Sequence, residues 1–203
     1  MNLETAILEI KKFWNNDDNF PFGESQNKSH IHRLENEFKI TLPHNLKDYI
    51  SNFAPLKDFY FSTVGNPMCI YGVENLKYKQ DGYNYNSIKN TEIGDWNKNF
   101  FIFADEGADP VIVDFEDLEN GIQKLMHGAG NWETGTTVAD TLGQFLLCSA
   151  ALHHALSNFE DESIIDDENG FNLADNAAKW YFKNMRNWAG KYYDEWCSVF
   201  DNH

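Results

Sequence analysis

The stretch FFIFADEGADPVIVDF, residues 100–115, sets four carboxylates, Asp105, Glu106, Asp109 and Asp114, among two intensely apolar runs. Such acids can ligate a metal, act as an acid/base pair, or present negative charge to a partner. A calcium loop of the EF-hand kind needs oxygen ligands at positions one, three and five, a glycine at six and a Glu at twelve. Counted from Asp105, Gly107 removes the third-position ligand and Pro110 stands where the glycine belongs, although Asp109 and Glu116 fit. Metal binding is therefore not expected: Asp and Gly favour a tight turn, and Asp–Pro breaks the chain before the next strand. An acid/base pair needs burial that separates two pKa values, and acids are too abundant here to single a pair out.

Other chemistry-bearing residues are equally poor in pattern. HGAGNWE, residues 127–133, fails the GxGxxG spacing at Glu133, and no Lys–Ser/Thr follows. Its glycines are expected to turn the chain between strand and helix. His153 and His154 are adjacent, about 100° apart on a helix, so they cannot share one face as an HExxH pair does. Cys69, Cys148 and Cys197 have no zinc spacing, and their odd number and wide separation predict reduced thiols. There is no GxSxG motif. The expectation is a protein without catalysis, metal or cofactor.

Charge is more informative. Residues 99–178 hold sixteen Asp/Glu and one basic residue, Lys124, whereas the rest of the chain holds sixteen acids and fifteen Lys/Arg. Almost the whole formal charge of −16 therefore sits in one stretch. Such a field repels nucleic acid and anionic membrane and attracts a basic partner. Solubility alone is the competing explanation. The start MNLETAILEIKKFW lacks the marks of a signal peptide, and no apolar run reaches the roughly 18 residues of a membrane span, so a soluble cytoplasmic protein is expected.

The elements that must position these residues follow from periodicity. Leu3, Ile7, Ile10 and Trp14 form a helical stripe, ended by DDNFPFGES. A second helix fits SHIHRLENEF with Ser29 as N-cap, and a third fits TLPHNLKDYISNF with Pro43 in its first turn. Strands are predicted near 57–63, 68–72, 100–104 and 111–115, the last two joined by the turn DEGADP, and GIQKLMHG suits a further strand. The continuous apolar runs of the 100–115 strands require cover on both faces of the sheet. A long helix is predicted to start at Thr137, with Asp140 placed as in a capping box. NFEDESIIDDENG reads as a solvated loop or hairpin, and one helix from about Asn172 carries Ala177, Tyr181, Met185, Trp188, Tyr192, Trp196 and Val199. Eight aromatics lie between Trp180 and Phe200, more than one core stripe uses, so core packing competes with a partner or self-association surface.

The order of these pieces resembles the SUKH superfamily, which includes the fungal Smi/Knr-type cell-wall-synthesis regulator and many bacterial relatives. The resemblance is carried by IHRLENEFKITLP, HNLKDYISNFAP, a strand ending IYG, a Trp before FFIFADEGADPVIVD, and a late TLGQFL. It covers about 29–157 of a single 1–203 domain, leaving a C-terminal helical extension over 158–203. It implies an α+β fold with a central, mostly antiparallel sheet flanked by helices, and no catalysis. Bacterial members are mostly immunity proteins that neutralise a cognate toxin, often a nuclease; fungal members are regulatory scaffolds. Leu42, Pro43, Trp96, Gly107, Asp109 and Pro110 match as fold markers.

A nuclease carries a basic groove for phosphates, so an inhibitor gains association rate from concentrated negative charge. The leading expectation is an immunity protein that occludes a basic toxin domain, binding neither nucleic acid nor membrane. Asp105, Glu106, Asp114, Glu116, Asp117 and Glu133 are its candidate partner-binding residues. A regulatory scaffold of the same fold and a hydrolase with an unrecognised site are the alternatives.

Overall fold

The computed structural model describes residues 1–14, 19–23, 28–133, 135–159 and 162–203. In chain order its elements are α1 (Leu3–Phe13), α2 (Lys28–Phe38), α3 (His44–Asp48) running into a π-helical turn (Tyr49–Phe53), β1 (Phe59–Phe61) and β2 (Met68–Ile70). β3 (Tyr85–Asn86), β4 (Thr91–Glu92), β5 (Phe100–Glu106), β6 (Asp109–Asp114), β7 (Ile122–Leu125) and β8 (Gly135–Ala139) follow. The chain ends with α4 (Leu142–Ser157), β9 (Ile164–Asp167), β10 (Gly170–Leu173), α5 (Asp175–Trp188) and α6 (Tyr193–Cys197). Six strands form one antiparallel sheet in the order β1-β2-β5-β6-β7-β8, and β3–β4 and β9–β10 are separate two-stranded ribbons. This is the expected α+β class.

The chain divides into two compact units. One comprises Pro21–Tyr60 and Cys69–Thr136, the other Met1–Phe20, Phe61–Met68 and Thr137–His203.

The first unit is organised by the β5–β6 hairpin. Its turn is shorter than DEGADP: Glu106 pairs with Asp109, and only Gly107 (φ 60°) and Ala108 (φ 78°) lie between them. Two consecutive left-handed residues make the type I′ geometry that matches strand twist. Pro110 is therefore inside β6, opposite Asp105 and one residue beyond the β6–β7 register of Val111–Val113, where its missing N–H costs no ladder bond. A bulge at Phe103 shifts the register between Ile102 and Ala104. Both faces of this hairpin are covered, as its apolar runs require. On one side Phe38 of α2 meets Phe101 at 5.5 Å, and Tyr49 of the π turn meets Phe103 at 6.4 Å. On the other, Tyr83 and Trp96, supplied by the polar stretch 77–98, pack with Ile102, Ile112 and Leu125.

The second unit packs α1 and α5 on α4, which is buried on nearly every side. α4 starts at Leu142 and not at Thr137, because residues 135–139 form β8, rich in β-branched Thr and Val. The glycine loop at 127–133 therefore turns strand to strand. Thr141 is the N-cap: its Oγ1 accepts from Gln144 N–H at 3.1 Å, while Gln144 Oε1 accepts from Asp140 N–H at 2.7 Å. Gln144 Nε2 also donates to Trp188 O at 2.8 Å and Ala189 O at 3.1 Å, terminating α5. The predicted single C-terminal helix is broken there, with Gly190 left-handed at φ 58°, and its first residues, Asn172 and Leu173, belong to β10. The surplus aromatics mostly join the core: Phe182 and Phe200 are buried, and Trp180 packs on Phe13 and His154. Ser29, expected as an N-cap, lies within α2, and DDNFPFGES falls partly outside the described residues.

Candidate protein-binding site

The six candidate acids separate into two groups. Strand pairing turns the first group toward neighbouring strands. Asp105 accepts the Tyr71 hydroxyl at 2.5 Å, and Glu106 is ion-paired with Lys124 at 2.5 Å. Lys124 is the one cation of the acidic stretch, and β7 brings it beside the hairpin because it pairs with Val111. The fold marker Asp109 behaves likewise, accepting from His127 N–H at 2.8 Å and lying 2.6 Å from its Nδ1. Burial, then the Asp105 carboxylate, holds the Tyr71 phenol well above its ordinary pKa, and burial pushes Tyr83 up to about 12. These acids are internal fittings of the hairpin.

The second group lies at the end of β6 and on the turns beyond it. Half-buried Asp114 accepts from Glu116 N–H at 2.9 Å, and Asp117 accepts from Glu119 N–H at 3.2 Å, capping the 3-10 turn Leu118–Asn120. Local side-chain-to-backbone bonds of this kind are what Asp supplies at turns. They hold a turn on which Glu116, Asp117 and Glu119 are exposed around Leu118, itself 43 % exposed. Glu133 is exposed on the loop after β7. None of Glu116, Glu119 and Glu133 makes an ion pair among the described residues. Glu119 is not one of the six, and its signal in the sequence is its place three residues after Glu116 on a polar turn.

The histidines and thiols of the second unit are core groups. His153 Nδ1 accepts from Ser62 N–H at 3.0 Å, and its ring lies 5.6 Å from Trp14 and 5.7 Å from Phe61. His154 is caged by Phe13, Phe159 and Trp180 at 5.1, 5.2 and 4.6 Å. Burial lowers the pKa of both. It raises Cys148 well above the usual thiol range and Cys197 to about 12; in the first unit Cys69 is pushed up to about 11. Such thiols hold little thiolate at neutral pH. Among the described residues no group of three or more His, Cys, Asp or Glu could hold a metal.

No pattern in the chain singles out Arg33, whose guanidinium donates to Val73 O at 2.9 Å and Leu76 O at 2.8 Å. It thereby anchors the start of the 77–98 stretch to α2. The fold markers hold the same frame. Leu42 is buried, Pro43 is the N-cap of α3, Trp96 joins the aromatic cluster, and Gly107 and Pro110 shape the hairpin.

An antiparallel sheet whose β5–β6 hairpin has α2 and the π turn on one face and an aromatic lid on the other, with exposed acids on the turn after β6, defines an α+β scaffold. The chain belongs to the SMI1 / KNR4 family (SUKH-1), which matches residues 27–148. No curated protein matches the chain significantly. Among the described residues no helix is long and apolar enough to cross a membrane.

Proposed function

We propose that this chain is a non-catalytic immunity protein that occludes a basic, nuclease-like toxin domain stoichiometrically. Family membership supports a role of the immunity-protein or cell-wall-regulator type, acting through protein–protein interaction. The observation that carries the toxin reading is the charge imbalance of residues 99–178, whose only cation, Lys124, is already neutralised by Glu106. Glu116, Asp117 and Glu119 then form an uncompensated anionic rim on the exposed turn after β6, and Glu133 is exposed on the separate loop after β7. A rim of that kind steers a basic partner and selects against acidic ones.

The test is co-expression with a candidate toxin domain, taken from the adjacent gene or from a pull-down, followed by isolation of the complex. Growth protection together with a stoichiometric, non-covalent complex is expected. Turnover of the toxin or of its substrate by the purified chain would replace occlusion with hydrolysis. Absence of protection with retained binding to a cellular partner would favour the regulatory scaffold.

A further inference from the structure

We propose that the cavity beside Trp132 receives an arginine side chain of a protein partner. The cavity, of about 280 Å³, is lined by Asp95, Met126, Gly128, Gly130, Asn131 and Trp132, all in the first unit. Trp132 is fixed in orientation, meeting Tyr83 at 5.7 Å and 71° and Trp96 at 5.3 Å and 68°. Edge-on aromatic packing of this sort costs nothing to reorganise on binding, and a preformed site avoids the entropy of ordering.

The lining chemistry selects the occupant. Asp95 is exposed and makes no ion pair among the described residues, and its chain neighbour Trp96 ties it to the aromatic stack. A guanidinium pairs with a carboxylate through a planar fork and stacks on an indole, which a neutral or acidic side chain does not do. Met126 is 54 % exposed, and a flexible thioether suits the apolar stem of a long cationic side chain. Gly128 and Gly130 are left-handed at φ 77° and 89°, and a Cβ at either would meet nothing within 4 Å, so the wall stays open. This deepens the proposed function, resting on it only in taking the ligand to be part of a protein.

Nuclear magnetic resonance titration tests the site with a capped Gly-Arg-Gly peptide and its neutral citrulline counterpart. The arginine peptide is expected to shift the Trp132 indole and the Gly128 and Gly130 amides saturably, and citrulline to bind at least about tenfold more weakly. Asp95→Asn, on an exposed side chain, is expected to weaken the arginine peptide by about two- to fivefold. No saturable shift, or equal binding of the two peptides, would overturn the proposal. Because the titration needs no toxin, its failure beside intact toxin protection removes the arginine site alone. Saturable binding in a chain that protects against no toxin removes the immunity reading alone.

Discussion

Tyr71 and Asp105 share a 2.5 Å hydrogen bond between phenol and carboxylate, joining the segment after β2 to the end of β5. Asp105 is thereby committed to the hairpin. Tyr71→Phe should destabilise the protein by about 1–3 kcal/mol, because it leaves a partly buried acceptor without its donor. Asp105→Asn keeps an acceptor and should cost less. Urea unfolding checks the order, and a smaller loss for Tyr71→Phe than for Asp105→Asn would contradict it.

Ala108 occupies a left-handed turn position at φ 78°, where a Cβ is unfavourable by about 1–2 kcal/mol. Glycine relieves that strain but adds about 0.4–1 kcal/mol of unfolded-state entropy. The strain outweighs the entropy, so Ala108→Gly should raise stability by about 0.5–1 kcal/mol. Denaturant midpoints at unchanged slope report it.

Gly143 sits in the first turn of α4, where an added Cβ would stand 2.8 Å from Asn2 O and 3.0 Å from Asn2 C. Helix propensity favours Ala over Gly by about 1 kcal/mol. Overpacking against backbone costs about 1–3 kcal/mol, and the near neighbour is not a side chain that can rotate away. Gly143→Ala should therefore lower the melting temperature. A rise would show that α1 moves freely off α4.

His153, His154 and His30 are all held below the ordinary histidine pKa of 6.5, chiefly by burial. The unfolded chain then binds more protons as pH falls through that value, so the neutral rings contribute stability fully above about pH 6.5 and lose it below. Protonating His153 Nδ1 would also set a donor against the Ser62 N–H. Urea midpoints should fall as pH is lowered from about 7.5 to about 5.5, and His153→Gln should flatten the fall. The lowered carboxyls Glu35, Asp81 and Asp140 have the same sign but act at lower pH.

The β5–β6 hairpin is legible in the chain because apolar runs bounded by Gly and Asp have few other solutions. β8 is not: GTTVA is short, and the apolar pattern of α4 masks the helix start, which the Thr141 cap places at Leu142. The C-terminal break at Gly190 is hidden by a helical stripe that continues through Tyr192 and Trp196, although the two flanking helices are separate. The acids are legible as a charge but not as a site, since composition does not distinguish Glu106, paired to Lys124, from Glu116, which faces water. Trp132 and Asp95 meet only through the folding of loops, and no spacing in the chain announces that.

The anionic rim is tested most directly by the association rate of the toxin complex as a function of salt. Glu116→Gln, Asp117→Asn, Glu119→Gln and Glu133→Gln together neutralise four exposed acids of the first unit while leaving Asp105, Glu106 and Asp109 to the hairpin. Rim charges act mainly on association, and their field is screened to about 3 Å at about 1 M salt. This variant is expected to associate more slowly than the parent at low salt, with the two rates converging at high salt. Equal rates at low salt, in a folded variant, would contradict the steering role and leave solubility as the use of the charge.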